Sequence, residues 1–142
     1  MKPRILTLVL AAMVVLAVTL CPAPASAQVD ARIVNIPFNF HLNNTAYPAG
    51  KYELTYTGQP HWYLLRSADF KAGRLMYANN IEMASARSSP GLVFHRYGNV
   101  YFLAQVWLGE HGGQLSKSRM ETEVATQWGK GTDNTVVQAL KK

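Results

Sequence analysis

The chain has 142 residues, 14 basic against 8 acidic side chains, a net charge of +6 and one cysteine. The basic residues are spread thinly and form no stripe interleaved with aromatic residues, which argues against nucleic acid as a partner. A single cysteine excludes an internal disulfide. The mild positive charge favours solubility or loose contact with anionic surfaces.

The first 27 residues predict a cleaved secretory signal peptide. Lys2 and Arg4 precede an uncharged, mostly apolar run from Ile5 to Leu20, and Ala25-Ser26-Ala27 is a small-residue cleavage site. The competing interpretation is a membrane anchor, but the apolar run is slightly shorter than the roughly 18 residues of a spanning helix. We therefore expect cleavage after Ala27.

Cys21 raises the alternative of a lipoprotein. Lipid-modified cysteines follow a small residue, whereas Leu20 stands at that position here. We therefore expect an exported chain, periplasmic or extracellular, that begins at Gln28 and has no stable membrane insertion. Loss of Lys2 and Arg4 leaves 12 basic and 8 acidic residues, a net charge of +4, in a single domain over 28–142.

The remaining chain predicts strands separated by turns. In residues 33–40 apolar and polar side chains alternate with period two, which is typical of a half-buried strand, and Pro37 favours an edge or a bulge within it. By the same pattern we predict seven strands: 33–40, 51–56, 61–66, 74–78 (or on to 83), 92–97, 100–107 and 135–140. Loops are expected at 43–45, 85–91 and 109–113.

Gly98-Asn99 predicts a tight hairpin between the two most apolar strands, since such a pair suits a primed turn. In that register Arg96 faces Tyr101, His95 faces Phe102, and Val93 faces Ala104. One face then carries Val93, His95, Tyr97, Val100, Phe102, Ala104 and Val106; the other carries Leu92, Phe94, Arg96, Tyr101, Leu103, Gln105 and Trp107. Both faces are mostly apolar, so the hairpin is expected in the middle of the structure, covered on each side.

One helix is predicted, at about 117–128. Ser118 and Glu121 match a capping box in which the serine caps the helix and the glutamate reaches back. Met120, Val124 and Trp128 form an apolar stripe, and Gly129 follows the helix. The expected fold is therefore all-β: a single antiparallel barrel or sandwich of about seven or eight strands with one C-terminal helix packed against it.

Three segments resemble a family of small exported bacterial proteins found especially in acidobacteria. They are VNIPFNFHLNNTAYPAGKYEL, LVFHRYGNVYFLAQVW and LSKSRMETE. The family shares V-x-P-F-x-F, P-A-G-x-Y and F-H-R-Y-G motifs and a P-K-S helix start, where this chain has Ser116 in place of the proline. The resemblance covers most of residues 33–125. It implies export and one compact domain, and it assigns no functional residue.

The candidate polar cluster, functional or structural, is His95, Arg96, Tyr97 and Tyr101. His95 and Arg96 point to opposite faces of the predicted hairpin, so they are poorly placed to form one catalytic pair. Arg96 is expected to stack on Tyr101, and His95 to bond a buried group. The structural interpretation is favoured because buried polar groups are normally partnered.

Metal and catalytic motifs give no further site. The histidines are His41, His61, His95 and His111, and none has the close spacing of a metal-ligand motif. His111 is expected to be the most exposed of them. No G-x-S-x-G elbow, mature cysteine or phosphate loop occurs. We therefore predict no metal, cofactor or catalytic residue, while a site assembled in space stays open.

The sequence predicts an exported, non-catalytic β-domain of the cell envelope, either a ligand-binding or a structural module. The binding alternative draws on six aromatic residues that could line a cavity for a small apolar or polymeric ligand: Tyr47, Tyr52, Tyr56, Trp62, Tyr63 and Tyr77. Core packing is the competing role for them. A small periplasmic enzyme of unknown type is the alternative from another class.

Overall fold

The computed structural model describes residues 30–79, 89–109, 111–129 and 133–140. The predicted signal peptide, the predicted extension to residue 83 and most of the predicted 85–91 loop lie outside these ranges. The described elements are β1 (Ala31–Ile36), β2 (Phe40–Leu42), β3 (Thr45–Tyr47), β4 (Gly50–Tyr56), β5 (Trp62–Ser67), β6 (Gly73–Tyr77), β7 (Gly91–Tyr97), β8 (Val100–Leu108), β9 (His111–Gln114), α1 (Arg119–Trp128) and β10 (Asp133–Leu140).

All ten strands belong to one curled, half-barrel sheet with the order β3-β2-β8-β7-β10-β1-β4-β5-β6, and β9 pairs with the far half of β8. Asn79, just after β6, exchanges two backbone hydrogen bonds of 2.8 Å with Gln114 at the end of β9. This bridge joins the β6 end of the strand order to β9, which branches from β8 near the other end, so the sheet curls around its own inner face. Because β2 runs parallel to β8, the predicted purely antiparallel arrangement is wrong for that pair.

The core lies on the concave inner face. Phe40 occupies its aromatic centre, with its ring 5.3 to 5.5 Å from the rings of Tyr47, Tyr52 and Phe94. The aliphatic part of the core comes mainly from alternate positions along the strands, and from Leu115 just after β9. Its large members are Val34, Ile36, Leu42, Leu54, Leu65, Met76, Leu92, Leu103, Val106, Leu108 and Leu115. Burying each large apolar side chain contributes roughly 1.5–3 kcal/mol, so this face is the main source of stability.

The described residues form ten strands rather than the predicted seven or eight. The predicted 33–40 strand ends at Ile36, because Pro37 has no N–H for the ladder, and pairing resumes at Phe40 in β2. The tight turn at residues 43–44 folds β3 back onto β2. Most of the predicted 109–113 loop forms β9. Its residues Gly112 and Gly113 have no side chain, so the backbone can lie close to Trp107 and Ala78.

The predicted hairpin register is confirmed from the turn as far as Phe94 and Leu103. Gly98 has φ +62°, as a primed turn requires. A β-bulge then shifts the register, so that Val93 faces Gln105 rather than Ala104. Beyond the bulge the predicted faces of β8 are therefore exchanged: Val106 joins the core, and Gln105 and Trp107 lie on the outer face.

The hairpin is covered on both sides, as its two apolar faces predict. The half-barrel core packs on the inner face, and α1 lies over the outer face of β7. The helix begins at Arg119, two residues later than predicted. It is not the last element, because β10 follows it and inserts between β7 and β1.

Candidate functional site

The site is formed where α1 meets the outer face of β7. Ser118 is the helix N-cap, and its hydroxyl accepts a hydrogen bond of 3.1 Å from the backbone N–H of Glu121. This half of the predicted capping box is confirmed. Glu121 does not complete the box, however, because its carboxylate points to the sheet and bonds β7 instead.

The carboxylate of Glu121 holds two side chains of β7. Its Oε1 atom lies 2.6 Å from Nδ1 of His95 and 3.2 Å from the hydroxyl of Tyr97. A carboxylate only accepts hydrogen bonds, so Nδ1 and the tyrosine hydroxyl donate. His95 and Tyr97 alternate with Arg96 along the strand, which places both on the outer face. We call these three residues the helix clasp: His95, Tyr97 and Glu121.

The clasp is almost fully buried. The side chains of Glu121 and His95 are 4% and 12% exposed, and Tyr97 is 2% exposed. Glu121 is the buried residue of α1, whereas Trp128 of the predicted apolar stripe is half exposed. A charged group therefore takes the place of an apolar anchor, and its hydrogen bonds offset the cost of burying it.

Both ends of α1 also contact the sheet. At the N-terminus, the Oδ1 atom of Asn44 accepts a hydrogen bond of 3.3 Å from the backbone N–H of Met120. At the C-terminus, the Trp128 ring packs on the Gly98 turn so closely that a Cβ at Gly98 would lie 2.7 Å from it. The helix is thus held at three points along its length, with the clasp between the two ends.

An aromatic row extends from the clasp across the sheet. Phe102 of β8 lies between His95 and His41 in the strand register. Its ring packs edge-on against Tyr97 at 5.9 Å and stacks on His41 at 5.1 Å. Within the described ranges Nδ1 of His41 is buried and has no hydrogen-bond partner. The row fills the outer face of the hairpin next to the helix.

The four predicted cluster residues divide between the two faces. His95 and Tyr97 belong to the clasp, while Arg96 and Tyr101 lie on the opposite face. Arg96 is exposed, donates from Nε to the Gly98 carbonyl at 2.8 Å, and holds its Cζ 5.9 Å from the Tyr101 ring. Arg96 is therefore exposed rather than buried in the sheet, because its side chain lies beside the Gly98-Asn99 turn at the end of the hairpin.

The aromatic residues that could line a ligand cavity serve mainly as packing. Tyr47, Tyr52 and Tyr63 are buried in the core, and the Tyr52 hydroxyl donates to the Pro48 carbonyl at 2.7 Å. Burial raises the pKa of Tyr52, and nearby Tyr47 and Asp69 add to the effect. Burial likewise raises the pKa of Tyr63. Both hydroxyls therefore stay neutral beyond the usual tyrosine range, as expected for core residues.

The remaining histidines lie apart from the clasp. His111 is exposed, as predicted, and stacks on Tyr56 with the ring centres 4.3 Å apart. Nδ1 of His61 lies 3.2 Å from the Ala78 carbonyl. In the part of the chain that the structure describes, no three His, Cys, Asp or Glu side chains are grouped closely enough to hold a metal ion. The absence of a metal or cofactor stays a prediction.

Glu121 is the site residue that sequence reasoning missed. The capping box predicts only a capping role for it, although its position in the first turn of a helix packed on an apolar hairpin is a usable signal. Among the described residues, no helix is long and apolar enough to cross a membrane. No family model, curated protein or solved structure matches the chain.

Proposed function

We propose that the protein is an exported, non-catalytic β-domain of the cell envelope, acting as a structural or ligand-binding module. The observation that carries the non-catalytic interpretation is the burial of the helix clasp. A catalytic acid or base must reach a substrate, whereas the Glu121 carboxylate is covered by its own helix and its Oε1 atom is occupied by two donors.

The packing of the inner face favours a structural role over that of a barrel-type carrier. Phe40, Tyr47 and Tyr52 pack against one another in the middle of the half-barrel. Ligand sites in barrels are cavities lined by such residues, whereas here the rings contact each other. A ligand would therefore bind on a surface of the domain rather than at its centre.

The support for export is the sequence of residues 1–27, with its basic start, apolar run and A-S-A site. The resemblance to small exported bacterial proteins agrees with it. We propose that cleavage after Ala27 releases the domain and that neither Cys21 nor a spanning helix anchors it.

An enzyme is the second candidate, and one observation favours it. An imidazole oriented through Nδ1 by a buried carboxylate is the arrangement of a general base and its orienting group. The 12% exposure of the His95 side chain leaves part of it at the surface. If His95 is catalytic, His95→Gln should abolish the activity and leave the stability of the domain unchanged. If His95 is structural, the same substitution should lower the stability.

The export proposal is tested by expressing the full chain in a bacterium and measuring the mass of the protein in each cell fraction. We expect a soluble species that begins at Gln28 and carries no lipid. An Ala27→Leu variant, which removes the small residue at the cleavage site, should accumulate uncleaved in the membrane fraction. A lipidated Cys21, or a parent protein that retains residues 1–27, would contradict the proposal.

A further inference from the structure

β6 ends the strand order of the sheet, and one of its sides is open. The residues that flank β6, Ala72 and Ala78, hydrogen-bond to the β5 side, whereas Asn79 bonds Gln114 on the other side. Successive residues of an antiparallel strand direct their backbone groups to opposite sides. Three residues of β6 therefore direct their N–H and C=O groups away from β5, and among the described residues these groups meet no second strand. We call them the β6 edge: Gly73, Leu75 and Tyr77.

The surface next to the β6 edge is apolar. Side chains of β5 and β6 alternate between the core and solvent. On the solvent side two apolar pairs cross the hairpin, Trp62 with Tyr77 and Leu64 with Leu75. Leu75 is 51% exposed and Tyr77 48%. An open, apolar strand edge is a template on which another chain can pair, and natural proteins usually cover it.

The same surface is electrically neutral. Glu53 pairs with Arg66 at 2.8 Å, and Asp69 with Lys71 at 4.0 Å. Arg74 is exposed, but the alternation along β6 places it on the opposite side of the strand from the two apolar pairs. Two identical surfaces of this kind can therefore meet without bringing like charges together between them.

We propose that the β6 edge pairs with the β6 edge of a second copy, antiparallel and about a two-fold axis at Leu75. In this register all three open residues are used: Leu75 faces Leu75 of the second copy, and Gly73 faces Tyr77 in both directions. A two-fold interface brings the same patch of each copy together. The two sheets then join through the strands β5-β6-β6-β5. This inference goes beyond the function proposed above and does not depend on it.

The side chains of the hairpin fit this register. Leu64 and Leu75 of the two copies form one row of four leucines across the joined sheet. Tyr77 lies opposite Gly73, which leaves room for the ring, and aromatic residues stabilise edge glycines in this way. The monomer does not require this glycine, because its φ is not positive and a Cβ would lie 3.7 Å from Arg66, an ordinary contact. The pairing therefore gives Gly73 a role that the monomer does not.

The association is measured by sedimentation equilibrium of residues 28–142, which contain every described element. We expect a reversible monomer–dimer equilibrium. Salt should strengthen it, because the two exposed Arg74 side chains lie diagonally across the joined strands and their repulsion is screened. Amide hydrogen exchange followed by NMR should show the three N–H groups of the β6 edge becoming protected as the protein concentration rises.

Two substitutions at one position separate the side chain from the backbone. Leu75→Ala removes the apolar contact and should raise the Kd of the dimer about ten-fold. Leu75→Pro also removes an N–H that bonds no strand among the described residues of the monomer, so Kd should rise about ten-fold further. The matched control is Leu140→Ala on β10, where the leucine is 55% exposed, and it should dimerise like the parent. Thermal melts verify that each variant is folded.

The inference is overturned if the parent sediments as a monomer at millimolar concentration and the amides of the β6 edge stay unprotected, since the edge would then serve a different partner. Equal Kd values for folded Leu75→Ala and Leu75→Pro would also overturn it, because side chains and not strand pairing would hold the dimer. So would a Leu140→Ala variant that dissociates as readily as Leu75→Ala. If Leu75→Pro does not fold, the amide protection in the parent decides. None of these results bears on where residues 1–27 direct the chain.

Discussion

Truncating Glu121 to alanine should release α1 from the sheet. The substitution removes the acceptor for both the imidazole of His95 and the hydroxyl of Tyr97, and each donor lies in a nearly dry environment. The N-cap is preserved, because Ser118 accepts from the backbone N–H at position 121 rather than from the side chain. The effect therefore isolates the clasp from the helix itself.

The expected loss follows from those two contacts. Leaving a buried donor without a partner costs about 1–3 kcal/mol, and hydrogen bonds to a charged group are at the upper end. Water that enters beneath the helix can bond to the freed donors and reduce this cost. For the two donors together we therefore predict a fall of about 3–4 kcal/mol in the free energy of unfolding. Glu121→Gln keeps one acceptor oxygen and the side-chain shape, so a smaller loss of about 1–2 kcal/mol is expected.

Urea denaturation followed by circular dichroism measures the change, with the slope m checked for constancy among variants. For a domain of this size each kcal/mol corresponds to roughly 4 °C in Tm, so Glu121→Ala should melt about 12–16 °C below the parent. The control is Glu123→Ala on the same helix, where a half-exposed carboxylate pairs with Arg119. That variant should lose about 0.5 kcal/mol or less.

A Glu121→Ala variant as stable as Glu123→Ala would show that the clasp does not hold α1 on the sheet. In that case the clasp contributes nothing to holding the helix, and the burial of a carboxylate there would need another cause. A variant of parental stability that had lost a measurable turnover would favour the enzyme alternative.

Two further predictions concern turns. Gly98→Val should lower the free energy of unfolding by about 1–3 kcal/mol, because φ is +62° and the new side chain would collide with Trp128, whereas Asn99→Gly should be nearly neutral; thermal melts decide, and equal losses for the two variants would refute the primed turn. Ser67→Ala should raise the pKa of Asp69, which the Ser67 hydroxyl and then the Lys71 N–H hold below its ordinary value. The stabilisation by this carboxylate is present above the unfolded pKa and is lost as pH falls through the lowered folded pKa. The Ser67→Ala variant, with its higher folded pKa, should therefore lose this stabilisation at a higher pH than the parent. An NMR titration that leaves the Asp69 pKa unchanged would contradict this.

The sequence predicted most of the strands, because period-two alternation and turn residues act locally. It failed where a long-range contact decided the structure. The bulge between Val93 and Phe94 depends on how β8 meets its other neighbours, and nothing in the alternation of β8 marks it. β9 has no apolar alternation at all, and it pairs because Gly112 and Gly113 fit against Trp107 and Ala78.

The site was predicted in part for the same reason. His95 and Tyr97 stood out as polar groups in an apolar hairpin, and their common face followed from the register. Their partner, 24 to 26 residues further along the chain, depends on how α1 docks. A capping box and a buried clasp both need a glutamate at this position, so the motif alone could not distinguish the two roles of Glu121.

The position of β10 has a consequence for how the molecule acquires its structure. β10 is the last strand in the chain, yet it lies between β7 and β1, so neither of these central strands gains its second neighbour until β10 is in place. β1 and β10 are separated by nearly the whole domain, and contacts of such long sequence separation slow folding, because a large loop must close first. Residues up to the end of α1 can therefore form local hairpins but not the finished sheet. The sheet therefore remains incomplete until the eight residues of β10 insert, and before then the pairing edges of β1 and β7 are open to any extended segment nearby.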